Sequence, residues 1–127
     1  MTDATMLPQV LIVTGDSKDR ALYEAANRDR FTLTFLISDQ EIQNFVSIIA
    51  HGEFLAIIVG LSSAQRTRVS PPSIVGYAKC FNPDLIIIGV CHLKEWRQMI
   101  TNTGATHAVA TPAEAIDFVS TRLNSAG

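Results

Sequence analysis

The runs Leu55-Ala56-Ile57-Ile58-Val59 and Leu85-Ile86-Ile87-Ile88 decide the fold. Both are continuously apolar and rich in branched side chains, with none of the polar alternation of a strand that has one wet face. A strand covered on both faces, as in a parallel sheet, reads this way. Three further short apolar runs lie at 10–13, 31–37 and 106–110, and each of the five is followed by a segment with helical spacing. In the run 31–37 threonines alternate with apolar residues, which suits a strand nearer the sheet edge.

The intervening segments carry helix signals. Ser38 and Glu41 make a capping box ahead of an apolar stripe of Ile42, Phe45, Val46 and Ile49. Pro71 and Pro72 suit a first helical turn; Ile74, Tyr77, Ala78 and Phe81 follow at helical spacing until Asn82-Pro83 stops the helix. Leu93, Trp96 and Ile100 form the next stripe, with Gly104 as its stop. Thr111, Pro112 and Glu114 give the last helix an N-cap, a first-position proline and an acidic first turn, with Ile116, Val119 and Leu123 facing inward. A first helix over 18–28 is marked only by Leu22, Ala25 and Ala26. Strand and helix repeated five times imply a parallel sheet with right-handed crossovers. The expected fold is α/β: a three-layer doubly wound (βα)5 sandwich whose five-stranded parallel sheet has the flavodoxin-like order 2-1-3-4-5.

The 127 residues suit one domain over 1–127, without repeat or linker. Apolar residues at 47% and charged residues at 17% exclude intrinsic disorder. Ten Lys+Arg against twelve Asp+Glu, a net charge of −2, leave no basic excess for a phosphate backbone, so no direct nucleic-acid partner is expected. Cys80 and Cys91 lack metal-finger spacing and do not suggest a disulfide scaffold. The apolar runs are far shorter than the ~20 residues of a membrane span. Residues 1–9 lack the basic and apolar regions of a secretory signal. A cytoplasmic protein with no membrane partner is the expectation.

In this architecture ligands bind beyond the carboxyl ends of the strands. Those ends carry Thr14-Gly15-Asp16-Ser17, Gly60-Leu61-Ser62-Ser63, Gly89-Val90-Cys91-His92 and Ala110-Thr111. Asp16 is the one carboxylate this reading finds there, too little for two-carboxylate chemistry or for a magnesium cage. It is read as a cap for the first helix.

The order and length of these elements resemble the CheY-like receiver domain of bacterial response regulators over nearly the whole chain. The stretches VLIVTGD (10–16), NPDLIIIG (82–89) and TGATHAVATPAEAIDFV (103–119) carry the resemblance. In that family an aspartate ending strand 3 takes a phosphoryl group from an acyl phosphate or a phosphohistidine kinase, beside magnesium held by two acids after strand 1. The resemblance places that acidic pair at Thr14 and Gly15, with Asp16 one residue beyond. The phosphoacceptor falls at Val59 or Gly60, and the Ser/Thr ending strand 4 at Gly89 or Val90. The lysine of the Lys-Pro pair falls at Thr111 before Pro112, and the strand 5 aromatic at Ala108. Each position is replaced. The resemblance therefore implies a degenerate pseudo-receiver: no enzyme, no metal, no cofactor, and a two-component or phosphorelay module working through protein contacts.

Other features allow both a chemical and a plainer reading. Cys91-His92 pairs a thiol with an imidazole, which a hydrolase would use, but neighbours along a strand end point apart; Cys91 is read as packing and His92 as solvated. The Thr14–Ser17 and Gly60–Ser63 loops offer an alternative function, a flavodoxin-like binder of a flavin, nucleotide or other small ligand. Arg66 and Arg68, in a long loop ending at Ser70-Pro71-Pro72, suit an acidic partner. Trp96 and Phe118 belong to the face made by the fourth helix, strand 5 and the fifth helix. The receiver resemblance makes that face the expected contact for a kinase, output domain or regulator, or for a homodimer. Phe118, off the inner stripe, is expected to be the exposed anchor.

Overall fold

The computed structural model describes residues 7–60 and 70–126. Its strands are β1 (Gln9–Val13), β2 (Thr32–Leu36), β3 (Phe54–Gly60), β4 (Ile86–Val90) and β5 (His107–Val109). Its helices are α1 (Lys18–Asn27), α2 (Asp39–Gln43), α3 (Phe45–His51), α4 (Pro71–Phe81), α5 (Lys94–Thr103) and α6 (Pro112–Ala126). The sheet order is β2-β1-β3-β4-β5 with every pair parallel, as the apolar runs predict. No helix among the described residues is long and apolar enough to cross a membrane.

Side-chain alternation along the strands builds two cores. Leu11, Val13, Ile57, Val59 and Ile87 face one side, where α2 to α5 contribute Ile42, Phe45, Ile49, Ile74, Val75, Ala78 and Ile100. Val10, Ile12, Ala56, Ile58, Ile88 and Val90 face the other, against Tyr23 of α1 and Ala115, Ile116 and Val119 of α6. Both faces of the central strands are dry, so their sequences have no polar alternation.

Local signals act where the sequence places them. Ser38 Oγ accepts from Glu41 N at 3.1 Å while Glu41 Oε1 accepts from Ser38 N at 3.0 Å, a complete capping box. Ser70 Oγ caps α4 by accepting from Ser73 N, and Gly104, at φ 131°, ends α5 in a conformation that suits glycine. Backbone N–H groups of Ser38 and Ile37 hold the Glu41 carboxyl below the usual carboxylate range. The unfolded chain then takes up its proton first as pH falls. Stability from this box is complete above the ordinary Glu value of about 4.3 and is lost as pH drops through the lower folded-state value. Urea titrations of the wild type and Glu41→Gln across acid pH should show the wild type losing more stability; parallel curves would remove the box from the account.

Several expectations are corrected. The segment behind Ser38 is two helices, broken at Asn44 rather than continuous. Val46, Phe81 and Leu123, expected inside, are exposed, as is Leu93, which stands at the N-cap of α5. On α1 the inward residues are Tyr23 and Asn27, whereas Leu22 is 54% exposed. Asn27 is held inside because its side-chain amide donates to Phe31 O at 2.8 Å and its carbonyl accepts from Phe31 N at 2.9 Å.

Candidate functional site

The carboxyl ends of β1, β3, β4 and β5 surround a cleft of about 260 Å³. Its walls are Thr14, Asp16 and Asp19 on one side, Gly60 at the floor, and Val90, Cys91, His92, Ala110 and Pro112 on the other. Thr14 follows the last residue of β1 and is 2% exposed; its N–H donates to Leu36 O, which fixes it beside β2. Its hydroxyl donates to Asp19 Oδ2 at 2.8 Å and accepts from Asp16 N at 3.3 Å. Asp16 Oδ1 accepts from Lys18 N at 2.9 Å, one residue ahead of the N-cap, Ser17, which makes no side-chain cap bond of its own.

The cleft thus holds two carboxylates, correcting the expectation of one. Asp19 comes from the first turn of α1, where an acid suits the helix dipole, and its tie to Thr14 turns it toward the strand ends. An acidic residue in the first helical turn after a strand-end loop is the sequence signal that marks it. Two carboxylates around so small a space disfavour a phosphate or flavin phosphate, which weighs against the small-ligand alternative at its strand 1 half. Residues 61–69 lie outside the described residues, and with them Leu61, Ser62 and Ser63 of the second loop and the candidates Arg66 and Arg68.

Strand parity separates the remaining candidates. Val59 is fully buried in the α2–α5 core and is not part of the cleft; Gly60 lines it instead. A Cβ at position 60 would lie 3.3 Å from Thr14 Oγ1, so any side chain there presses on the hydroxyl that holds Asp19. Gly89 also faces the core: a Cβ there would meet Ile100 Cγ2 at 2.6 Å, and Val90 takes the cleft position. Thr111 caps α6, accepting from Glu114 N and donating to Glu114 Oε1, while its neighbours Ala110 and Pro112 reach the cleft. Gly15 is half-buried in the β1–α1 turn.

Cys91 and His92 do not form a nucleophile pair. The Cys91 sulfur is buried and accepts from Leu93 N at 3.4 Å, while His92 is exposed. Arg97, which sequence reasoning missed, sends its guanidinium to Cys91 O at 2.7 Å and pins α5 to the end of β4. Among the described residues no group of three His, Cys, Asp or Glu is arranged to hold a metal ion. A wider hollow of about 410 Å³ opens at the opposite end of the sheet, but among the described residues Glu53 is its one charged wall and no reactive groups gather there.

The face of α5, β5 and α6 is more ordered than expected. Phe118 is half-buried rather than freely exposed: its ring stacks on His107 at 4.5 Å and 12°, with the Arg122 guanidinium 5.9 Å from its centroid. Trp96 packs partly buried against the α2–α5 core, as its stripe predicts. Met99 remains exposed beside it on α5.

No family model and no curated protein matches the chain, whereas solved structures do. A CheY-like response regulator receiver domain from Methanospirillum hungatei superposes with a TM-score of 0.72 at 15% identity, covering 94% of this chain and 95% of that one. The fold is that of receiver domains. The receiver domain of a sensor histidine kinase from Pseudomonas aeruginosa, solved with magnesium in its active-site cleft, gives 0.70 at 16% identity over 89% of this chain and 94% of that one. CheY of Borrelia burgdorferi, in a complex with CheX, beryllofluoride and magnesium, gives 0.72 at 11% identity over 97% and 94%. The receiver fold places the cleft at Thr14, Asp16, Asp19 and Gly60 at the carboxyl ends of its strands.

Proposed function

We propose that this chain is a receiver-like signalling module of a two-component or phosphorelay system that acts in the cytoplasm through protein contacts, without aspartyl phosphorylation. The carrying observation is Gly60, packed against Thr14 where the end of β3 opens into the cleft. Glycine has no side chain to accept a phosphoryl group. Each carboxylate nearby spends one oxygen within the protein, Asp16 on Lys18 N–H and Asp19 on the Thr14 hydroxyl. A magnesium site of the receiver kind needs carboxylates free to face the ion and a phosphoryl oxygen to complete it. With Gly60 at the end of β3, the described residues gather no third carboxylate beside Asp16 and Asp19, so this donor set does not fit a site of that kind.

The surface read by a partner is the face of α5, β5 and α6. Arg97 and Ile100 fix α5 against β4, and the half-buried Phe118 ring is held in place by its stack on His107 with the Arg122 guanidinium 5.9 Å from its centroid. Such a preordered aromatic patch suits a partner surface that is apolar at its centre and acidic at its rim. The reading is tested by amide NMR with magnesium and beryllofluoride. It expects Thr14, Asp16, Asp19, Gly60 and Gly89 to keep their shifts. Saturable shifts clustered on those residues would overturn it.

A further inference from the structure

We propose that a second copy of this chain adds across the free edge of β2, antiparallel and two-fold about Thr34, to make one continuous sheet. β2 is an edge strand bonded only to β1 among the described residues. Thr32 N donates to Pro8 O and Leu36 O accepts from Thr14 N, so residues 32, 34 and 36 spend their backbone groups on β1. Residues 31, 33, 35 and 37 therefore direct theirs outward.

The two ends of that outward row are closed by side chains. Asn27 takes both the N–H and the C=O of Phe31, and Glu41 Oε1 takes the N–H of Ile37. Leu33 and Phe35 between them keep N–H and C=O groups without a partner among the described residues. A row open for two residues and stopped at both ends specifies a register. In an antiparallel pair centred on Thr34, Leu33 of one copy lies opposite Phe35 of the other. All four open groups are then used, and Thr34 meets its own copy at the centre.

Charge complementarity chooses a second copy over an unrelated strand. A groove of about 250 Å³ beside the edge is lined by Arg20, Glu24, Asn27, Asp29, Leu33 and Phe35. Arg20 sits over the Phe35 ring at 5.1 Å, at one end, where it also pairs with Glu24 at 3.7 Å across two exposed side chains; Asp29 lies two residues after Asn27, which holds Phe31 at the other. Two-fold reversal brings the Arg20 end of each copy to the Asp29 end of its partner. β2 also lacks the lysine, proline or charge that usually blocks such an edge, whereas β5, the other edge, is only three residues long. The patch is small beside the ~1,200–2,000 Å² of a stable interface, so the dimer is weak, with a Kd on the order of 100 μM.

The test is sedimentation equilibrium of the whole chain from about 10 μM to 1 mM, with circular dichroism to check that each variant folds. Thr34→Lys and Thr34→Glu each set like charges face to face and should each weaken dimerisation at least about tenfold. An equimolar mixture of the two should restore it as a heterodimer. A wild type monomeric at the top concentration, a dimer indifferent to both substitutions, or folded variants whose mixture fails to associate would each overturn the proposal.

Discussion

Tyr23→Ala lowers the unfolding free energy by about 3–5 kcal/mol, while Leu22→Ala changes it by less than about 0.5 kcal/mol. Tyr23 is fully buried in the core between the sheet and α1 and α6, edge-on to Phe35 at 6.3 Å. Its truncation leaves a cavity that β1 and β3, paired on both sides, cannot collapse to fill. Leu22 is more than half exposed, so its loss removes little apolar contact. Urea denaturation of both variants decides which residue faces inward; equal losses would mean that α1 is rotated from the described register.

The same residue carries a polar liability. The Tyr23 hydroxyl is buried without a hydrogen-bond partner among the described residues. Tyr23→Phe removes that unsatisfied group while keeping the ring, and should raise stability by about 1 kcal/mol. Burial, and secondarily the Asp19 charge, push the Tyr23 hydroxyl well above its ordinary value. The unfolded chain therefore releases this proton first. Stability from the group is complete below the ordinary tyrosine value of about 10 and is lost as pH rises beyond it. Tyr23→Phe should lack that alkaline loss.

Gly89→Thr, a substitution at the core-facing one of the two positions, Gly89 and Val90, where the receiver resemblance seeks a Ser or Thr, should destabilise by about 1–3 kcal/mol. A side chain in a strand interior ordinarily gains about 0.5–1 kcal/mol over glycine. Here the new Cβ falls 2.6 Å from Ile100 Cγ2, and Ile100 is the buried residue that seats α5. Overpacking wins, and α5 is pushed outward, together with the face proposed above to meet a partner. Gly76→Ala is the control: nothing lies within 4 Å of the added methyl in α4, so helix propensity alone should stabilise by roughly 0.5–1 kcal/mol. Stabilisation by Gly89→Thr would show that the β4–α5 packing is looser than described.

The sheet was legible because its strands are buried on both faces, and LAIIV and LIII cannot belong to a half-wet strand. Caps were legible where the chemistry is local, as at Ser38 and Glu41. The register of α1 was not. Its inner face is carried by Tyr23 and Asn27, whose polar tips conceal their burial, while Leu22 advertises a core position it does not occupy. Asp19 was missed because its place at the cleft depends on a hydroxyl five residues earlier, a pairing that helical spacing does not encode. Phe118 read as exposed because the residue that covers it, His107, comes from the neighbouring strand.

The most direct measurement of the central claim is the intact mass of the whole chain after incubation with acetyl phosphate and magnesium, before and after hydroxylamine. The account predicts an unchanged mass, because Gly60, where β3 ends in the cleft, offers no nucleophile. A hydroxylamine-sensitive phosphoryl addition mapped to Asp16 or Asp19 would contradict it and make the cleft a working phosphorylation site.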